Sequence, residues 1–402
     1  MESPRVAQLR AELDALPEEI QRRLQIAGFD RERLIRLAET LDGPAEARRV
    51  ERNRVHGEVS PPARGEIMDL PEASSPDAAR MRDRGREALA KGEAALCVMA
   101  GGMATRMGGV VKALVEVAPQ DNPGITFLDM RLAENRAVSA RVGRPVPLWL
   151  MVSEQTRGPI EAALRAASAP DHVRTFEQSA SLRLTMEGTL FHDSKGAPSL
   201  YAPGHGDLVD SLRRSGLLHT FRESGGKTVW IANLDNLGAT IDETLLGLFL
   251  ESGAEALVEV CDKVEGDRGG IPVHAPVKTR VGEKATQRLQ ILEEFRLPPG
   301  FDAAMVRVFN TNTFLVDAGA LATSDIEWNW FEVEKKVDDK PAIQFERLLQ
   351  EITGAMKTAY VRVPREGASS RFLPVKDVAE LDKRRDAILA VALLRGMLNK
   401  PA

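Results

Sequence analysis

The chain has 402 residues, 43% of them hydrophobic and 28% charged, with a formal net charge of −5. It is long enough to bury a sizeable core in one large domain with one or two appendages, and it has no basic excess of the kind that marks nucleic-acid binding. No run approaches the ~18 apolar residues needed to cross a bilayer, and the charged, amphipathic N-terminus lacks a signal-peptide core, so a location in the cytoplasm, away from membranes, is expected.

Residues 1 to about 56 read as helices. Ser3-Pro4 makes an N-cap with proline in the first turn, and Val6, Leu9, Leu13 and Leu16 recur at helical spacing. Gly28 and Asp30 punctuate, and Leu34, Ile35, Leu37 and Leu41 mark a second amphipathic helix. A linker rich in Pro, Ser and Gly follows, roughly Gly57 to Asp77. From about Ala94 short apolar runs alternate with helical stretches: Ala94 to Ala100, Val146 to Val152, Thr228 to Leu234 and Ala256 to Cys261. Periodic segments such as LDMRLAENRAV and DLVDSLRRSGLL lie between them, the second with Gly216 at a C-cap position. This alternation predicts an α/β domain whose mixed, mostly parallel sheet is flanked by helices, with ligands beyond the carboxyl ends of the strands. The expected divisions are an N-terminal helical segment and linker (residues 1–90), the α/β domain (91–360) and a C-terminal segment (361–402). The charge run from Glu332 to Lys340 reads as a solvated face or loop. Cys97 and Cys261 sit in apolar runs without CxxC spacing, so core packing in a reducing compartment explains them better than metal or redox chemistry.

The run ending at Ala100 leads straight into Gly101-Gly102, with Thr105, Arg106, Gly108, Gly109 and Lys112 following. Consecutive glycines let the backbone approach a ligand closely, and amides left unpaired at such a turn form an anion-binding concavity. Arg106 and Lys112 add charge where the β- and γ-phosphates of a triphosphate would lie. The loop is neither a Walker A sequence nor a clean GxGxxG, and by spacing alone a plain strand-to-helix turn would look the same.

Five further clusters carry polar groups at element ends. Pro203-Gly204-His205-Gly206-Asp207 is a tight turn into a helix, with Asp207 placed to act as the N-cap. Asn233-Leu234-Asp235-Asn236 closes an apolar strand, and a carboxylate there suits Mg²⁺, which takes one or two carboxylates plus phosphate oxygens. Gln178 follows Thr175-Phe176-Glu177, and by composition alone it reads as an ordinary surface residue. Asn310 lies in Phe309-Asn310-Thr311-Asn312, and Lys376 ends Arg371-Phe372-Leu373-Pro374-Val375-Lys376. From the residues alone each also admits a structural role, as a turn asparagine, a satisfied histidine or a solvated lysine.

These blocks, in this order, resemble the eukaryotic-type UTP–glucose-1-phosphate uridylyltransferases. The similarity runs from about Ala94 to Leu381 and includes YAPGHGDLVDSLRRSGLL (Tyr201 to Leu218), WIANLDNLGATID (Trp230 to Asp242), VFNTNTFLVD (Val308 to Asp317) and SSRFLPVKDVAEL (Ser369 to Leu381). The resemblance implies a Rossmann-like, GT-A-like nucleotidyltransferase fold with an N-terminal helical extension. It implies Gly101, Gly102, Gln178, Gly204 and Asp235 on the nucleotide, His205, Asn233, Asn310 and Lys263 on the sugar phosphate, and Asp235 as the Mg²⁺ ligand. Lys376, Lys112 and Arg106 become the charge-neutralising residues of the reacting centre. The partners implied are UTP and a sugar 1-phosphate, glucose 1-phosphate first. Alternatives are other sugar 1-phosphates, such as those of galactose or N-acetylglucosamine, or a non-catalytic nucleotide-sugar sensor.

The sequence departs from the family pattern at Ala104, where glycine is usual and a methyl group could crowd a positive-φ position. The proline common before the loop lysine is absent, and residues 365–369 read as an insertion. The chain also ends soon after Leu381, without the C-terminal β-helix used in oligomerisation, which is consistent with a monomer.

Overall fold

Eight strands, spread from residue 67 to residue 362, form one sheet in the computed structural model, which describes residues 3–104, 107–117, 124–267, 269–277 and 286–398. They are β1 (Ile67–Asp69), β2 (Ala94–Met99), β3 (Leu148–Val152), β4 (Val173–Glu177), β5 (Thr228–Asn233), β6 (Ala256–Asp262), β7 (Val308–Asp317) and β8 (Thr358–Arg362). Their order across the sheet is β1-β8-β6-β7-β5-β2-β3-β4. Strand β7 is antiparallel to both its neighbours, and every other pairing is parallel. The four apolar runs read from the sequence are β2, β3, β5 and β6. Their residues are buried almost without a break, as strands covered on both faces must be.

Helices α1 (Pro4–Asp14), α2 (Glu18–Ile26), α3 (Arg31–Glu39) and α4 (Ala45–Asn53) precede the sheet. The Ser3 hydroxyl accepts from Val6 N and caps α1 as expected, while α2 and α4 add two helices to the two that periodicity marks. Leu9, Leu13, Leu24, Leu34 and Ile35 from this segment pack against Leu182, Leu184, Leu190, Ile343 and Phe345 in a hydrophobic cluster of their own. The expected linker is more ordered than its composition suggests. It contains edge strand β1, and Ser60 pairs with His274 before α5 (Pro76–Lys91) begins under its Ser75 cap. A three-residue edge strand carries too little apolar periodicity to stand out from a Pro- and Gly-rich stretch.

The sheet is flanked by α5, α6 (Phe127–Val142) and α10 (Glu243–Ser252), which touch one another through α5, and by α7 (Glu154–Ala166), α8 (Leu208–Arg214) and α9 (Leu217–Glu223). Gly216, in the left-handed region at φ 78°, joins α8 to α9. The charge run from Glu332 belongs to a hairpin, Phe331–Val337 against Lys340–Glu346. Its turn residues Asp338 and Asp339 both have positive φ, the geometry of a two-residue hairpin loop. A last helix, α11 (Val378–Leu394), is capped by Asp377. Cys97 and Cys261 are buried and unpaired, and burial pushes both thiols upward, Cys261 to about 12. No described helix is long and apolar enough to cross a membrane.

Candidate active site

Because β2, β3, β4, β5, β6 and β8 run the same way, their carboxyl ends share one edge of the sheet, and the amino end of the reversed strand β7 joins them there. After β2 the chain turns through Gly101-Gly102 into a small ladder, Met103–Ala104 against Val110–Val111, which doubles back through Gly108 and Gly109 at φ 86° and 72°. Lys112 N donates to Gly102 O at 3.2 Å, closing the loop. Ala104 lies in the ladder, buried and not at positive φ, so the crowding expected of its methyl group does not arise. Arg106 lies outside the described residues.

Gly101 marks a close approach between loops. Ser153, just past β3, donates its hydroxyl to Gly101 O at 3.0 Å, and a Cβ at Gly101 would come within 2.7 Å of Gln178 Oε1. Gln178, just past β4, donates Nε2 to Gly204 O at 3.2 Å. Gly204 has φ 83°, and a Cβ there would meet Arg347 O at 2.5 Å, so this backbone junction requires glycine. Gly101, Gln178 and Gly204 thus form one contact chain.

His205 sits beside that chain, half-buried. Its Nδ1 accepts from Leu349 N at 3.0 Å. A backbone N–H can only donate, so the neutral ring carries its proton on Nε2, a donor with no partner among the described residues. Burial pushes the imidazole down to about 4 and favours this neutral form.

Asp207 does not cap α8, contrary to the expectation. Its buried carboxylate pairs with Arg347 and accepts from Ser179 N at 2.6 Å and Ser211 Oγ at 2.5 Å. A short 3₁₀ turn, His205–Asp207, enters the helix directly and leaves Asp207 in helical geometry, where it cannot reach the first-turn amides. Burial raises the Asp207 carboxyl, but Arg347 and the hydrogen bonds outweigh it and hold it below the usual carboxylate range. Arg347 also pairs with Asp210 and lies over the rings of Trp328 and Trp330 at 5.2 and 5.1 Å.

Past β5, Lys112 Nζ and Asp235 Oδ2 form an ion pair at 2.5 Å, each side chain less than one-fifth exposed. Three arginines grip the turn that carries Asp235. Buried Arg131 donates to Asn233 O at 2.8 Å, Asn236 O at 2.6 Å and Ala239 O at 2.9 Å while pairing with Glu134 at 2.7 Å. Arg371 donates to Thr240 O at 2.8 Å and is clamped on both Glu259 oxygens, at 2.5 and 2.7 Å. Arg395 reaches Gly238 O and Thr240 Oγ1. Asn236 Oδ1 accepts from Leu373 N at 2.8 Å, and Val375 N donates to Asp235 O at 3.2 Å. The segment ending in Lys376 is therefore stitched to the Asp235 turn, with the exposed Lys376 following the stitch.

On β7 the register against β6 slips: Glu259 opposes Thr313 but Val260 opposes Asn310, leaving Thr311 and Asn312 as a bulge. Asn312 takes φ 60°, and Asn310 Oδ1 holds the bulge by accepting from Asn312 N at 2.9 Å. Asn312 Nδ2 then donates to Asn233 Oδ1 at 2.9 Å, while its own buried Oδ1 has no partner among the described residues. Lys263, just past β6, stands further along the edge and pairs with Glu294 at 2.6 Å.

The sequence reading missed Asn312, whose importance comes from the bulge, and the arginines that hold the Asp235 turn. One signal was available: Arg131, Glu134 and Asn135 fall on the buried face of α6, where an apolar helix should not carry them. Among the described residues no group of three or more His, Cys, Asp or Glu could hold a metal ion. A magnesium ion needs no such cage, because it keeps waters and takes one or two carboxylates with substrate phosphates. The single carboxylate of Asp235 fits that requirement.

A model of the UTP–glucose-1-phosphate uridylyltransferase family matches residues 48–391. The Hordeum vulgare protein of that name is 32% identical over 292 residues, which cover 70% of this chain and 59% of the relative. The Saccharomyces cerevisiae protein is 31% identical over 297 residues, 70% of this chain and 57% of the relative. The chain therefore spans less than two thirds of the length of these relatives. Among solved structures, a Leishmania major UDP-glucose pyrophosphorylase mutant in complex with UDP-glucose aligns with a TM-score of 0.67 at 22% identity, covering 95% of this chain and 79% of that one. A structure described as a putative UDP-N-acetylglucosamine pyrophosphorylase, from Entamoeba histolytica, aligns at 0.66 with 17% identity, covering 81% and 86%. These structural likenesses show the fold, and the match across most of the chain shows the family: the protein belongs to the UTP–glucose-1-phosphate uridylyltransferases.

Proposed function

We propose that the chain catalyses transfer of a uridylyl group from UTP to glucose 1-phosphate, giving UDP-glucose and pyrophosphate, in the cytoplasm. The observation that carries this reading is the convergence on one sheet edge of the glycine loop, the Lys112–Asp235 pair, the Gly101–Gln178–Gly204 chain and the Asn233–Asn312 pair. A phosphate oxygen of the sugar phosphate attacks the α-phosphorus of UTP in line, and the bond to pyrophosphate breaks. No enzyme nucleophile is needed, so the chain contributes positioning and charge neutralisation. Gln178 pairs with the uracil edge, with Gly101 and Gly204 packed beside it. The amides of Gly101-Gly102, with Arg106 and Lys112, take the β- and γ-phosphates. His205 donates from Nε2 to the sugar phosphate, and Lys376 neutralises charge near the α-phosphate. Asn233, Asn310 and Lys263 complete the sugar-phosphate side.

Asp235, together with the nucleotide phosphates, would hold Mg²⁺, which when bound offsets phosphate charge. Lys112 occupies that carboxylate at 2.5 Å, so nucleotide loading releases the ammonium toward the phosphates.

The test incubates the purified chain with Mg²⁺, UTP and separate sugar 1-phosphates and follows pyrophosphate release. Release that favours glucose 1-phosphate is expected. Release with galactose or N-acetylglucosamine 1-phosphate at similar efficiency would overturn the sugar assignment, and no release with any sugar would overturn the enzyme reading.

A further inference from the structure

The turn between α2 and α3 reaches the loop that carries Gln178. Ala27 O accepts from Ala180 N at 3.2 Å, two residues past Gln178. Gly28, at φ 70°, stands so close to the Arg214 guanidinium that a Cβ there would come within 2.5 Å of Nη1. That guanidinium binds the same loop, donating to Ser179 Oγ at 3.1 Å and Glu177 O at 3.3 Å. Arg23 of α2 also pairs with Glu154, beside the Ser153 that holds Gly101. Between these elements runs a cleft of about 900 Å³ lined by Arg23, Ile26, Ala27, Ser153, Gln178 and Arg214 among others. The N-terminal helices are anchored through their own hydrophobic cluster, so the turn presses on the loop from a fixed base.

We infer that the N-terminal helices are a positioning element for nucleobase recognition, acting through Ala27, Gly28 and Arg214 to hold Gln178 in register with the base. This rests on the reading that Gln178 pairs with uracil. Loss of an amide that reads a polar edge weakens both affinity and discrimination, because the wrong base is no longer left with unpaired groups.

Gly28→Ala tests it: the new methyl displaces the flexible end of Arg214 from Ser179 and Glu177. KM for UTP should rise about ten-fold and the preference for UTP over CTP should fall by about as much, as expected for a sub-ångström misplacement. Turnover at saturating UTP and KM for glucose 1-phosphate should stay near wild type. Arg214→Lys, which keeps the charge but cannot span both acceptors, should shift the same parameters and carries the test if Gly28→Ala lowers Tm sharply. Wild-type KM and base preference in both variants, or a rise in both KM values together with lost turnover, overturns the inference. Gln178→Ala separates the two readings. If it raises KM for UTP while the other variants do not, base reading stands and the positioning role fails; if it leaves KM for UTP unchanged, both fail.

Discussion

Leu349 N fixes the His205 tautomer, and the same burial that keeps the ring neutral has a consequence for stability. With its folded value pushed down to about 4 from an ordinary 6.5, the unfolded chain binds a proton in that window that the native chain does not. Stability should therefore rise with pH from about 4 to 6.5 through this group and gain nothing more from it above. Urea denaturation of wild type and His205→Asn across that range should show the smaller slope in the variant. A pH–rate profile should likewise show no inflection from His205 near neutrality. Lys376 and Lys112 carry the larger catalytic expectation. Removing a charge that acts on the transition state costs about 10²- to 10³-fold in turnover. Lys376→Ala measured with both substrates saturating should lose about that much with little change in folding, and full turnover would remove Lys376 from the reacting centre. The residues themselves were easy to name, since glycines, Asp235 and His205 stand at element ends in the sequence. What their side chains do was not legible. Asp207 read as a cap because helix entry usually begins at such a residue, but its partner Arg347 lies 140 positions away.

The turn after β5 depends on buried charge. Arg371 and Glu259 are both buried and joined through two hydrogen bonds from Arg371 Nε and Nη2, while Arg371 Nη1 has no partner among the described residues. Removing one partner of such a pair typically costs about 3–5 kcal/mol because a charge is left in low dielectric, whereas apolar replacement of both is far milder. Arg371→Met should lower stability by about that amount and loosen the Asp235 turn, and Arg371→Met with Glu259→Leu should recover much of the loss in the same denaturation assay. Recovery of stability without activity would separate the fold from the grip on Thr240 O. At this scale the parallel core strands were readable because strands buried on both faces are continuously apolar. The direction of β7 was not, since VFNTNTFLVD carries the same composition either way and only the pairing with β5 and β6 reverses it. Its bulge was hidden for the same reason: two extra residues become extra only when a partner strand is beside them.

At the scale of the molecule, the predicted layering of sheet and helices was recovered, while the way the N-terminal helices attach was not, because their apolar stripes do not specify which strands they cover. The sheet places its two ends in different situations from its middle. Strand β7 pairs with β6 on one edge and, from Phe314 to Asp317, with β5 on the other, and both neighbours are themselves interior. The amides of that doubly paired stretch should open only when the whole domain comes apart, whereas those of β1 and β4, at the sheet edges, can open by local fraying. Deuterium uptake followed by mass spectrometry should rank β7 among the slowest segments and β1 among the fastest strands. Within β7 the bulged amides at Thr311 and Asn312 should exchange ahead of Phe314 to Val316. The strand that brings the asparagines to the candidate site is then also among the last to let go, with a soft point at its bulge.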